Sequence, residues 1–237
     1  MSNERTLRNK TGKNWSGVVI IFCILSAVVK MLMINELLPM NTTANKEHII
    51  SASEEWNLIV VNRWNEIPKN YNVTLTELPN GQKVDSRIYP DLQEMFDAAK
   101  EEGIYLTVGE GYRTAEEQQK IFDDKIQDYI EEGYSRKTAK KLAKEWVAIP
   151  GTSEHQLGVA VDINADKSNS SNEEVYTWLA ENAHSYGFIL RYPQNKEDIT
   201  GTSYEPWHYR YVGKEAAEEI YIDQICLEEY MQNVLKK

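Results

Sequence analysis

Two short stretches hold the residues with the most chemical potential. "PGTSEHQLGVAVDI" (150–163) carries Ser153, His155 and Asp162, and "SYEPWHYRYV" (203–212) carries Glu205 and His208. These are two of the four histidines in a chain of 237 residues. The first stretch alone admits three readings: a serine–histidine–aspartate nucleophile system, half of a metal site, or a strand that starts with polar residues. The serine reading lacks a Gly-x-Ser-x-Gly elbow and leaves the second stretch unused. Taken singly, His155 and Asp162 have plainer roles as a structural histidine and a strand-end turn residue.

Taken together, His155, Asp162 and His208 are two imidazoles and a carboxylate. Three protein ligands with one open position is how a catalytic zinc is held. Imidazole nitrogen is a poor ligand for magnesium or calcium, although nickel, cobalt or iron would accept the same set. Pro206 disfavours a regular strand before Trp207, so Glu205 ends a loop and His208 begins a strand. That brings a carboxylate near the ion without making it a ligand. Such a group can serve as base toward water activated by the metal. Cys23 and Cys226 are too few and too far apart for a thiolate site, so any metal must be held by histidine and carboxylate.

The elements that must position these groups follow from periodicity and caps. "LIVVN" (58–62) reads as a strand. "YPDLQEMFDAAKEEG" reads as a helix opened by Pro90 and Asp91, with Leu92, Met95, Phe96 and Ala99 on one face. "IYLTVGEGYR" (104–113) reads as a strand with Arg113 at its polar end. Thr114 and Glu117 form a capping box that starts a helix over 114–130. A basic helix over 135–148 has a Leu142/Trp146 face. "GVAVDI" and "FILRY" read as strands on either side of a helix capped by Ser171 and Glu174. "WHYRYV" alternates as a strand should, and one helix runs from Lys214 onward. Strands and helices are interspersed without regular βαβ spacing. The predicted class is α+β, with a mainly antiparallel central sheet flanked by helices.

The amino-terminal part differs. "WSGVVIIFCILSAVVKMLMI" (15–34) contains one charge, Lys30, and is preceded by Arg5, Arg8, Lys10 and Lys13 against Glu4. About 20 apolar residues span a bilayer, and cationic flanks stay on the cytoplasmic side. The expectation is a cytoplasmic basic tail (1–14), a transmembrane anchor (15–34), a linker (35–52) and an extracytoplasmic domain (53–237). A cleaved signal peptide is the alternative reading of 15–34. The domain is thus placed at the cell membrane, held by a single pass. The net charge of −11 argues against a nucleic-acid partner.

"SEHQLGVAVDI" with "EPWHYR" resembles the VanY-type D-alanyl-D-alanine carboxypeptidases, which share a zinc-peptidase group with lysostaphin-type enzymes and hedgehog. The pattern is Ser-x-His-x6-Asp followed by Glu-x-x-His. "GYRT" with Gln118, and "GFILRYP" (187–193), also fit. The likeness covers about residues 55–225. It implies zinc on His155, Asp162 and His208, and Glu205 as general base and acid. It also implies Arg113 beside the substrate, stabilising an oxyanion or clamping a terminal carboxylate, with Ser153 and Gln118 in the same pocket. The activity implied is removal of terminal D-alanine from peptidoglycan stem peptides or lipid-linked precursors, with a role in glycopeptide resistance, by a monomer. The alternatives are an L,D-carboxypeptidase acting on tetrapeptides and a non-catalytic, zinc-containing wall-binding module. Without the resemblance, Arg113 would be a salt-bridge partner for the acidic helix after it, and Gln118 a solvated helix residue.

Overall fold

In the computed structural model the described residues are 55–236. The predicted basic tail, anchor and linker (1–52) all lie outside them. No helix among the described residues is long and apolar enough to cross a membrane.

A four-stranded antiparallel sheet organises the domain. It is formed by β3 (Leu106–Glu110), β4 (Ala160–Ala165), β5 (Phe188–Leu190) and β6 (His208–Tyr211), in spatial order β3-β4-β6-β5. A separate hairpin, β1 (Leu75–Glu77) and β2 (Lys83–Asp85), precedes it. The helices are α1 (Tyr89–Glu101), α2 (Ala115–Glu131), α3 (Arg136–Trp146), α4 (Asn172–Asn182), the short α5 (Glu197–Thr200), α6 (Lys214–Asp223) and α7 (Leu227–Val234). The α+β class with an antiparallel sheet is as expected.

Strand alternation divides the sheet into two faces. Val161 and Ile163 of β4 and Tyr209 and Tyr211 of β6 are buried in one cluster with Leu92 and Met95 of α1 and Val175 and Leu179 of α4. Asp162, His208 and Arg210 therefore point the other way. A second cluster joins Leu58, Val60 and Ile189 to Ala217 and Ile220 of α6 and Leu227 of α7. The capping boxes of Thr114/Glu117 and Ser171/Glu174 both form, and they start α2 and α4 where the sequence predicts.

Three expectations need correction. Residues 58–62 are not a strand; the only ladder contact there is the bridge Asn62–Asn65. The carbonyls of Asn57 and Ile59 instead accept from Arg210 Nη2, at 3.0 and 2.9 Å, so a guanidinium replaces a neighbouring strand. The buried face of α3 is Ala139 and Ala143, packed on Phe122 and Ile126 of α2, while Trp146 is 49% exposed. Small side chains let the two helices approach closely. The strand expected at 207–212 does form as β6, and all four of its residues are buried. The carboxy-terminal helix is two helices, interrupted at Gln224, which adopts a left-handed conformation at φ 52°. The β1–β2 hairpin was not anticipated, although its loop contains Asn80-Gly81.

Candidate metal and peptidase site

The site grows from the pairing register. Asp162 on β4 stands opposite His208 on β6, and opposite Glu110 on β3 across its other edge. Facing residues in an antiparallel ladder have Cβ atoms about 5 Å apart, close enough for both side chains to reach one ion. His155 arrives from a short 3-10 turn, Glu154–Leu157, just before β4. Its backbone carbonyl accepts from Arg113 N at 3.2 Å, and its Nδ1 lies 2.8 Å from the carbonyl of Gly111. A carbonyl can only accept, so Nδ1 carries the proton and the Nε2 lone pair is free for a cation. Gly111 is required here. A Cβ on it would sit 2.3 Å from the Lys83 carbonyl of β2.

His155 Nε2 lies 3.4 Å from Asp162 Oδ1, and His208 Nδ1 lies 3.0 Å from the same oxygen. Among the described residues these three form the group able to hold a metal, with ligand atoms all within 4.8 Å of one another. The donor set fits zinc in number and type. The two nitrogens of His155 thus face the Gly111 carbonyl and Asp162, which leaves neither as the base of a serine nucleophile.

Glu205 ends a loop, as its Pro206 neighbour suggests, and His208 opens the strand. Glu205 Oε2 is 3.8 Å from His208 Nδ1. Burial raises the Glu205 carboxyl to about 7; His208 and Arg113 oppose this shift and Asp162 adds to it. Burial pushes His208 down, but its bond to Asp162 and the nearby Glu154 and Glu205 carboxylates outweigh that and set it at about 9. His155 is lowered, first by burial. Asp162 stays ionised far below the usual carboxylate range, because the two imidazoles outweigh its burial.

Arg113 stands at the rim of this cluster. Its Nη2 is 3.5 Å from Asp162 Oδ2 and its Nε is 3.5 Å from Glu110 Oε2. Gln118, 1% exposed, accepts from Arg113 Nη1 at 3.3 Å and donates to the Ala148 carbonyl at 2.7 Å. With both ends of its amide engaged, Gln118 holds the arginine. Ser153 precedes the 3-10 turn and lines the same cleft, of about 500 Å³, together with Trp146, Tyr192 and Trp207. All seven residues singled out from the sequence border this one cleft.

Sequence reasoning missed the layer behind the ligands. Glu154, Arg191, Arg210 and Glu228 are all buried. Glu154 Oε1 accepts from Arg191 Nε at 2.8 Å and Arg210 Nη1 at 2.7 Å, and its Oε2 faces His208 Nε2 at 3.7 Å. Arg191 also makes a two-pronged pair with Glu228, at 2.9 and 2.7 Å. The available signal was Arg210, which lies two residues after His208 and so shares its face of β6.

Comparison with known proteins agrees with this geometry. A family described as VanY, D-alanyl-D-alanine carboxypeptidase, matches residues 81–214. The chain belongs to the VanY family. It is 57% identical over 178 residues to a D-alanyl-D-alanine carboxypeptidase of Enterococcus faecalis, an alignment covering 75% of this chain and 66% of that protein. A crystal structure of the vancomycin resistance D,D-pentapeptidase VanY from a VanB-type cassette, a glutamate-to-alanine mutant in complex with Zn(II), is 58% identical. It superposes with a TM-score of 0.73, covering 75% of this chain and 99% of that one. VanYB in complex with D-alanine-D-alanine is 57% identical with a TM-score of 0.74, covering 75% and 98%. Like those VanY structures, the described domain is an α+β fold with an antiparallel sheet.

Proposed function

We propose that this chain is a zinc-dependent D,D-carboxypeptidase that removes the terminal D-alanine from peptidoglycan stem peptides or their lipid-linked precursors. The observation that carries the proposal is the convergence of His155, Asp162 and His208 on one point, with the raised carboxyl of Glu205 beside it. The likeness to VanY proteins described with Zn(II) and with D-alanine-D-alanine supports the same assignment.

His155 Nε2, Asp162 and His208 Nδ1 would hold the zinc. When bound, zinc supplies a Lewis acid that polarises the scissile carbonyl and water. Glu205 takes a proton from the attacking water and delivers it to the departing D-alanine nitrogen. A carboxyl set near neutrality suits both transfers. The Arg113 fork stabilises the oxyanion or clamps the substrate's terminal carboxylate, and Gln118 orients that fork. Ser153 donates a hydrogen bond to the carboxylate. The domain works outside the membrane, tethered through residues 15–34, next to nascent wall and lipid-linked precursors. Shortening pentapeptides there removes a glycopeptide's target, which would confer resistance.

A non-catalytic wall-binding module has no use for a buried base beside a metal position, so Glu205 favours the enzyme. The test is the protein with zinc and a pentapeptide ending in D-Ala-D-Ala, followed by mass spectrometry. Release of one D-alanine from the pentapeptide, none from the tetrapeptide, and silence after Glu205→Ala are expected. Cleavage of the tetrapeptide instead would favour the L,D reading, and zinc binding without turnover would favour the module.

A further inference from the structure

Behind the candidate metal ligands lies a closed set of four charges that the proposed catalysis does not use. Arg191 and Arg210 are 0% exposed, Glu154 is 1% and Glu228 is 3% exposed. Two cations and two anions compensate one another, so burial leaves no net charge. The balance has one loose end. Glu154 Oε1 is occupied by both arginines, while Glu154 Oε2 and His208 Nε2 have no hydrogen-bond partner, and they face each other at 3.7 Å.

We propose that Glu154 is a positioning residue for the metal ligand His208. A cation on His208 Nδ1 forces the ring proton onto Nε2, which is buried and must find an acceptor. Glu154 Oε2 is the acceptor in line, and a small ring movement brings the pair within hydrogen-bond range. The arginines fix the carboxylate from behind, and Glu228 fixes Arg191. The grip on the metal is thereby anchored in α7, far along the chain. His155 is held the same way by the Gly111 carbonyl, so each imidazole has one acceptor that sets its tautomer. This inference rests on His208 being a metal ligand, as in the proposed function.

The test measures zinc affinity directly, by competition with a chromophoric chelator, and needs no turnover. Glu154→Gln keeps shape and volume but turns an amide toward His208 or breaks the arginine contacts. Its zinc affinity is expected to fall about 10- to 100-fold, the usual cost of losing a partner to a ligand histidine. Glu228→Gln disturbs the same network one step further from His208, and its zinc affinity is expected to fall clearly less than that of Glu154→Gln. Equal losses in the two variants, or none in Glu154→Gln, overturn the proposal. Should either variant fail to fold, nitrogen-15 NMR of the zinc-loaded wild type decides. A His208 Nε2 proton shifted strongly downfield and protected from exchange, as a bond to a carboxylate requires, supports the proposal, and an unshifted, freely exchanging one overturns it. Wild-type protein that binds no zinc would remove the metal-site reading itself, a result distinct from either variant outcome.

Discussion

Asp162 and His208 face each other across β4 and β6, with Oδ1 and Nδ1 3.0 Å apart. The metal position is therefore built into the strand register. A slip of β6 by one residue would turn His208 to the face of the sheet opposite Asp162.

Asp162→Ala is expected to abolish both zinc retention and D-alanine release, since it removes the group shared by both imidazoles. Chelation of the wild type should abolish release in the same way, and added zinc should restore it. Metal content by plasma mass spectrometry, alongside the peptide assay, checks both. An Asp162→Ala protein that keeps stoichiometric zinc and full activity would refute the site.

Glu205→Gln is expected to lower kcat by about 10²- to 10⁴-fold while zinc remains bound. The same change should alter stability in the metal-free protein. The Glu205 carboxyl lies at about 7 when folded, against an ordinary 4.5. A raised acid contributes stability that is complete below 4.5 and lost as pH rises through 7. The loss amounts to about 3 kcal/mol. Denaturant melts of metal-free protein between pH 4 and 8 should show that decline in the wild type and a smaller one in Glu205→Gln.

Zinc affinity should itself depend on pH. His208 must surrender its Nδ1 proton to bind, and without metal it keeps that proton up to about pH 9. His155 is lowered by burial and offers its lone pair already at neutral pH. The apparent zinc association constant is expected to rise by about tenfold per unit between pH 7 and 9, then level off. Calorimetric or chelator titrations across that range check it, and a flat profile would contradict the assignment of His208.

Arg113→Lys is expected to keep the charge and lose the fork. Gln118 and Asp162 engage different guanidinium nitrogens, which one ammonium cannot reproduce. A rise in KM with little change in kcat would assign Arg113 to the substrate carboxylate. A fall in kcat with little change in KM would assign it to the oxyanion. Wild-type values for both constants would exclude each role.

Much of the site was legible because its residues obey local rules. The capping box at Thr114 fixes where Arg113 leaves β3, and Pro206 forces the loop that presents Glu205. His208 then starts a strand that must pair with the one bearing Asp162. What escaped depends on long-range pairing. Residues 58–62 look like a strand, and only the distant Arg210 shows why their carbonyls have no neighbouring strand. Trp146 looks like the packing face of its helix, yet Ala139 and Ala143 take that place because α2 lies too close for anything larger. Nothing in the sequence singles out Glu154, and its role emerges only when Arg191, just after β5, and Arg210 of β6 are brought to it. No spacing in the chain announces that Glu228, near its end, completes the group.

The guanidinium of Arg210, reaching from β6 to the carbonyls of Asn57 and Ile59, has a mechanical consequence. The stretch leading in from the amino end is stitched to the strand that begins with His208. A cut that removes Trp56, which stacks on Tyr211, and those two carbonyls should loosen the strand that carries His208. A pull on that stretch would reach the seam two residues from the imidazole of His208.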